Sequence, residues 1–462
     1  MSAKFSVDEL FQQGVAHFTA GNAVAAETAF RAALDIDPSC AEAMANVALL
    51  RERDGDIVQA ESCYRRALAL NPSCVTTHLN LGVLLLNGKR FADAEALVQA
   101  ALRLAPDSPV AWSNYGVLQA CQKREVQAEQ CYRTAMALDP EYAKARFNLA
   151  YVLLRQGRFG EGWECLEARD WYAPLARYFQ CPRWQGESLQ GEAVIVGIEA
   201  GYGDMIQFCR YLPLLKVLGA TRVALVCHQG LKTLLATLDG VDQIFSLEDD
   251  VPAAGWDFWS PPLSLPHYLR TTLETIPAGI PYLHPDPQRV AQWRARLPAS
   301  GLRVGLVWKG NPLFENDADR SLPSLATLLP LSQVPGVSFV SLQKGAGEAE
   351  ALDEPPPFSL IPVGGELQDF ADTAAVVACL DLVISVDTAV AHLAGALGKA
   401  CWVLLPDYKT DWRWLAGRED SPWYPEGMRL FRQASGESWG SVIERLTEAL
   451  AAWSAARMHH SG

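Results

Sequence analysis

The first 170 or so residues repeat a pattern of small and large apolar positions with a step of 34 (72 − 38, 106 − 72). One small-residue column runs Gly14, Ala48, Gly82, Gly116 and Ala150, and a second runs Ala26, Ala60, Ala94, Ala128 and Gly162. A third, Ala33, Ala67, Ala101 and Ala135, stands beside the larger Phe30, Tyr64, Val98, Tyr132 and Leu166. Pro38, Pro72, Pro106, Pro140 and Pro174 keep the same step. Small residues at fixed places let two antiparallel helices approach, and larger ones fill the space between hairpins. Proline then ends the second helix of each pair. The pattern predicts four complete helical hairpins. A fifth departs at Arg169, where alanine is expected, and so caps the array or joins it to the rest of the chain.

Past residue 190 the period changes. Short apolar runs alternate with amphipathic stretches, which predicts parallel strands joined by helices. GEAVIVGIEAGYGDMIQFCRYLPLLKVLGATRVALVC predicts strand, glycine-rich turn, helix and strand. Weaker strands and many prolines occupy 231–285, with GWDFWSPPLSLPHYL read as a loop facing a cleft. Residues 302–308, 338–345 and 360–363 predict strands, and 369–379 a helix. The stretch 381–406 then predicts strand, tight turn, short helix and a second, parallel strand. Thr388 is placed to cap that helix and Gly398 to end it. A last helix is predicted over 438–456. These shifts divide the chain into a repeat array (1–174), a junction (175–190), an α/β half (191–285), a link (286–300) and a second α/β half (301–456).

The chemistry concentrates beyond strand ends. Asp387, Thr388 and His392 are polar residues at a strand-to-helix switch in an otherwise apolar segment, where free backbone N–H groups suit an anion. Asp204 stands at the predicted start of the helix after the glycine-rich turn. There it either caps the helix or, ionised at neutral pH, accepts a proton from an attacking hydroxyl. In the polar loop after 308, Lys309, Asn311 and Arg320 either meet phosphate oxygens or are plain loop groups. Gln343 and Lys344 end the next strand at the edge suited to base or ribose contacts. The triplets 35–37 and 317–319 have the spacing of a metal-binding DxD, but the first falls at a repeat's helix end as a capping stretch and the second does not directly follow an apolar strand. In the repeats, Gln12, Asn46, Asn80, Asn114 and Asn148 form another column. Its amides either hold an extended peptide backbone or bond to their own neighbours.

Charge and composition narrow the partners. A net charge of −14 argues against nucleic acid or an anionic membrane surface as the main partner. No apolar run reaches the ~20 residues of a membrane span. The start, MSAKFSVDELFQQG, is charged and amphipathic, so no leader is expected from it. Eleven cysteines without CxxC spacing read as reduced thiols in a cytoplasmic protein, and dispersed histidines predict no zinc site.

The 34-residue columns resemble the tetratricopeptide repeat over 1–174. Two α/β halves with polar strand ends meeting across a cleft resemble the GT-B glycosyltransferase architecture of two Rossmann-like halves. VISVDTAVAHLAGALGK resembles the donor-binding motif of the heptosyltransferase family, with Asp387, Thr388 and His392 at its Asp, Thr and His positions. Ala389 stands where that family usually has glycine. Gly203–Asp204 is similar to the family's pair whose aspartate is the proposed catalytic base, and Arg320 to its basic residue before the first helix of the donor half. The repeats joined to such a domain resemble bacterial flagellin glycosyltransferases and protein O-GlcNAc transferases, and the asparagine column resembles the ladder by which the O-GlcNAc transferases hold the acceptor chain. The resemblance implies a metal-independent inverting transfer from a nucleotide sugar to a protein acceptor, with Asp204 as base. A repeat scaffold with a nucleotide-binding but inactive GT-B domain is the alternative, and a nucleotide-sugar epimerase a third.

Overall fold

In the computed structural model, which describes residues 5–353 and 356–458, the small-residue columns pack helices as the sequence predicts. Helices pair as α1 (Val7–Thr19) with α2 (Ala23–Ile36), α3 (Ala41–Arg53) with α4 (Ile57–Leu70), α5 (Val75–Asn87) with α6 (Phe91–Leu104), and α7 (Pro109–Cys121) with α8 (Glu125–Leu138). A Cβ added at Gly14 would lie 2.4 Å from the Phe30 ring, and one at Gly116 would lie 2.5 Å from the Tyr132 ring. The rings fill the room that the missing side chains leave, which is why column and large residue repeat together. Helices α2, α4, α6 and α8 each stop two residues short of the column proline, since the residue before proline is pushed out of the α region, whereas Pro174 ends no helix and lies in the first turn of the helix at Ala173–Tyr178. The chain forms two compact units, 1–152 and 153–462, and the division falls inside α9 (Ala143–Arg155).

The second unit opens with α10 (Phe159–Leu166) and α11 (Ala173–Tyr178). Its first sheet holds β1 (Ala193–Val196), β2 (Arg222–Cys227), β3 (Gln243–Ser246) and β4 (Phe258–Ser260), all parallel, in the order β3-β2-β1-β4. The helix expected between β1 and β2 is broken into α12 (Tyr202–Phe208), a 3-10 turn and α13 (Leu212–Val217), because Pro213 has no N–H to continue the ladder. Short α14 (Lys232–Leu235) and α15 (Leu265–Tyr268) come after β2 and β4. Residues 255–269, read from the sequence as a loop, therefore contain β4 and α15. Pairing with β1 and burial of Trp259 against Phe179, at 5.9 Å, draw the segment into the sheet.

Helix α16 (Pro287–Arg294), capped by the Asp286 carboxylate, leads to the second sheet. It holds β5 (Leu302–Val307), β6 (Val337–Ser341), β7 (Leu360–Pro362), β8 (Leu382–Val386), β9 (Cys401–Leu405) and β10 (Met428–Arg432), all parallel, in the order β10-β9-β8-β5-β6-β7. Around them lie α17 (Asp317–Arg320), α18 (Phe370–Ala378), α19 (Ala389–Ala396) and α20 (Trp439–Met458). β8 and β9 are buried along their whole length, as expected of strands covered on both faces. The strand order switches side between β1 and β4 in the first sheet, and between β5 and β8 in the second. Such switch points open a crevice beyond the carboxyl ends of the strands, where open α/β sheets take their ligands.

An aromatic cluster fixes the elements around that crevice. Trp163 of α10, Phe208 of α12, and Trp412 and Trp423 from the segment after β9 pack with ring centroids 5.4–6.5 Å apart. Each such pair contributes about 0.5–1.5 kcal/mol beyond burial.

Candidate functional site

The starts of α12 and α19, one beyond β1 and one beyond β8, meet face to face. A Cβ added at Gly203 would lie 3.0 Å from the His392 ring and 3.5 Å from the Ala389 Cα. Thr388 holds the N-cap position of α19, but its hydroxyl pairs with Ser385 Oγ at 3.0 Å and not with a helix N–H. The expected side-chain cap is thus absent, and the first-turn amides of α19 carry none. Asp204 is not the cap of α12 either. Gly201 is, and Asp204 in the first turn accepts from the Gly201 N–H through Oδ2 at 2.8 Å. The turn before it holds Ala200 at φ +60°, a left-handed conformation costly for a non-glycine residue. His228 Nε2 donates to the Ala200 carbonyl at 3.1 Å and helps hold that turn.

Asp204 also pairs across the crevice with Arg413, a residue that sequence reasoning misses. Arg413 donates through Nε to Gln207 Oε1 at 2.7 Å and through Nη1 to Asp411 at 3.0 Å. It comes directly after Trp412 of the aromatic cluster, and the charge-aromatic run DWRW is the signal that could find it. Asp387 lies near the same group. Burial, and then the neighbouring Asp411 carboxylate, push its pKa up to about 6. Its carbonyl accepts from Arg320 Nη1 at 3.0 Å, while Arg320 Nε donates to Asp317 at 3.0 Å. Arg320 thereby ties the loop after β5 to the end of β8, spanning the switch point. Asp317 is thus paired with Arg320.

His392 is buried, stacked on Trp414 at 5.1 Å, with Nδ1 3.0 Å from the Tyr424 hydroxyl. Burial, and then the Arg413 charge, bring its pKa down to about 3, so it stays a neutral partner at physiological pH. Beneath it the buried Arg210 donates to the Trp423 carbonyl at 2.8 Å and to the Tyr282 hydroxyl at 2.9 Å.

The remaining candidates of this half gather at the carboxyl ends of β5, β6 and β7. Gln343 is buried and its amide is committed to the backbone. Its oxygen accepts from the Trp308 and Lys309 N–H groups at 2.9 and 3.0 Å, and its nitrogen donates to the Ala346 carbonyl at 2.7 Å. A buried amide must be paired, so it splints two strand ends where the sequence suggested base or ribose contacts. Lys344 donates to the Leu367 carbonyl at 2.6 Å, and Lys309 lies 3.3 Å from Glu350. Asn311 closes a local turn by accepting from the Leu313 N–H at 3.0 Å. Ser341, Gln343, Glu348 and Glu366 line a cavity of about 180 Å³ at these strand ends.

In the repeat unit Asn46, Asn80, Asn114 and Asn148 are half-buried at equivalent places on α3, α5, α7 and α9, while Gln12 is exposed. Asn46 donates to the Glu42 carbonyl one turn earlier at 2.9 Å, which leaves its second N–H and its oxygen unspent in that bond.

Tetratricopeptide-repeat family models match residues 11–61, 48–109 and 131–164. Protein FlbA of Caulobacter vibrioides is 34% identical over 334 residues, covering 67% of this chain and 55% of FlbA, so the chain spans about half the length of that relative. Among solved structures, Pseudomonas aeruginosa PilF is 24% identical with a TM-score of 0.33, covering 35% of this chain and 74% of PilF. A thermophilic TPR protein of Thermus thermophilus is 21% identical with a TM-score of 0.33, covering 37% of this chain and 100% of its own. The N-terminal part of the chain is a tetratricopeptide-repeat solenoid, a fold used for binding proteins and peptides, and it is followed by an α/β region of two parallel sheets.

Proposed function

We propose that the chain is a glycosyltransferase of GT-B type that moves a sugar from a nucleotide donor to a protein hydroxyl presented by the repeats. The observation that carries this reading is the meeting of α12 and α19 at the switch points of two parallel sheets. That meeting sets a carboxylate, Asp204, against a helix start with no side-chain cap. In the reaction Asp204 takes the proton of the acceptor hydroxyl as its oxygen bonds the anomeric carbon. The bond from that carbon to the phosphate oxygen breaks, and the phosphate leaves with the electron pair. The α19 amides and Arg320 meet the charge that develops on it. A well-placed base contributes ~10²–10⁴ in rate. If these groups supply the positive charge, no divalent cation is required.

The same meeting also favours the scaffold reading, since Gly203 packs directly on Ala389 and His392, over the helix start that the donor would need. Purified chain, residues 1–462, incubated with a panel of UDP-, GDP-, ADP- and CMP-sugars separates the two. Slow release of nucleotide, abolished in Asp204→Ala with nucleotide binding retained, supports the transferase. Binding without release from any sugar nucleotide supports the scaffold, and full turnover in Asp204→Ala removes Asp204 from the mechanism.

A further inference from the structure

We infer that Arg413 is a positioning residue for Asp204, a role that rests on the transferase reading above. Asp204 sits on α12, beyond the first sheet, whereas Arg413 belongs to the segment after β9 of the second. The guanidinium is held on three sides. Gln207, one turn after Asp204 on the same helix, accepts from Nε at 2.7 Å. Asp411 accepts from Nη1 at 3.0 Å and from the Arg413 N–H at 2.8 Å. Trp412 lies beneath it, 4.4 Å from the guanidinium carbon to the ring centroid. A fork so fixed can offer its remaining arm in one direction only, and that arm meets Asp204 Oδ1.

The other carboxylate oxygen, Oδ2, is taken by the Gly201 N–H at 2.8 Å. The Asp204 side chain is therefore gripped at both oxygens, one by its own turn and one by the opposite sheet's loop. A carboxylate free to rotate would sweep through orientations that miss the acceptor hydroxyl; this one is set by Arg413. Asp411 has the complementary task of holding Arg413 through its side chain and backbone.

Two measurements on the whole 1–462 chain test the assignment. The first compares wild type, Arg413→Gln and Arg413→Lys on whichever sugar nucleotide of the panel the wild type turns over fastest. Positioning predicts kcat at least ~10-fold lower in Arg413→Gln with the donor KM within about 2-fold. Arg413→Lys, which keeps the charge but not the fork, falls between. A donor KM that rises while kcat holds would make Arg413 a binding group and overturn the inference. The second needs no turnover: amide exchange of the peptide spanning 198–204, read by mass spectrometry. With Arg413 gone, Asp204 loosens its hold on the Gly201 N–H, and exchange there speeds at least ~5-fold while the repeat unit's peptides are unchanged. Exchange equal to wild type overturns the inference whatever the activity shows. Absence of nucleotide release from the wild type instead fails the transferase reading and leaves the exchange result to decide whether Arg413 holds Asp204. Should Arg413→Gln not fold, Arg413→Lys read by exchange answers the same question.

Discussion

Asp387 and His392 lie within one strand-to-helix turn and answer to pH in opposite senses. The unfolded chain protonates a histidine near pH ~6.5, but the buried His392 stays neutral down to about 3, so its contribution to stability is lost as pH falls through that window. Asp387 is the reverse: its folded-state pKa of about 6 lies above the ordinary aspartate value, so stability is lost as pH rises from that ordinary value through 6. Asp387→Asn is expected to stabilise the fold at pH 8, by an amount on the order of 2 kcal/mol, and to change little at pH 4. His392→Asn should flatten the loss of stability between pH 6.5 and 3, at the cost of the Trp414 stacking. Melting curves of both variants across pH 3–8 check the pair, and a pH-independent effect of Asp387→Asn would refute the raised pKa of that carboxyl.

At the scale of elements, the repeat columns make a sharper claim than helix propensity does. Exposed glycines in helices are improved by replacement, yet Gly116 lies against the Tyr132 ring with no room for even a Cβ. Gly116→Val should therefore destabilise by ~1–3 kcal/mol through overpacking, visible as a lower urea midpoint with an unchanged slope. Substitution at Gly21 meets no atom within 4 Å, and its cost there comes from φ +79° alone. In the second unit the elements obey a different rule. The helix after β1 breaks at Pro213, and residues 255–269 join a sheet because pairing and the burial of Trp259 override a proline-rich local signal.

For the molecule as a whole, the transferase reading needs a repeat unit that holds the acceptor and an α/β unit that does the chemistry. Each amide bond to a peptide backbone is worth ~0.5–1.5 kcal/mol. Asn80→Ala with Asn114→Ala should then raise the acceptor KM by roughly tenfold and leave nucleotide release in the absence of acceptor untouched. Loss of that release as well would mean that the two units are energetically coupled. Among the described residues no helix is long and apolar enough to cross a membrane.

The repeat period, the helices it sets, the strands at 302–307, 382–386 and 401–405 and the apolar character of the sheets can all be read along the chain. Each depends on spacing between near neighbours, and hydrophobic burial acts on that spacing directly. The polar residues at strand ends are legible as a class, since free amides and charges collect there in any parallel sheet. Their partners are not. Nothing in the sequence says that Gln343 is consumed by the Trp308 and Lys309 backbone, that Thr388 turns to Ser385, or that Arg413 reaches Asp204 over 209 positions. Such pairings come from which strand lies beside which and from an aromatic cluster that sets the helix start and the late loop side by side. A buried charge takes whatever partner the packing brings, and only the folded chain decides that.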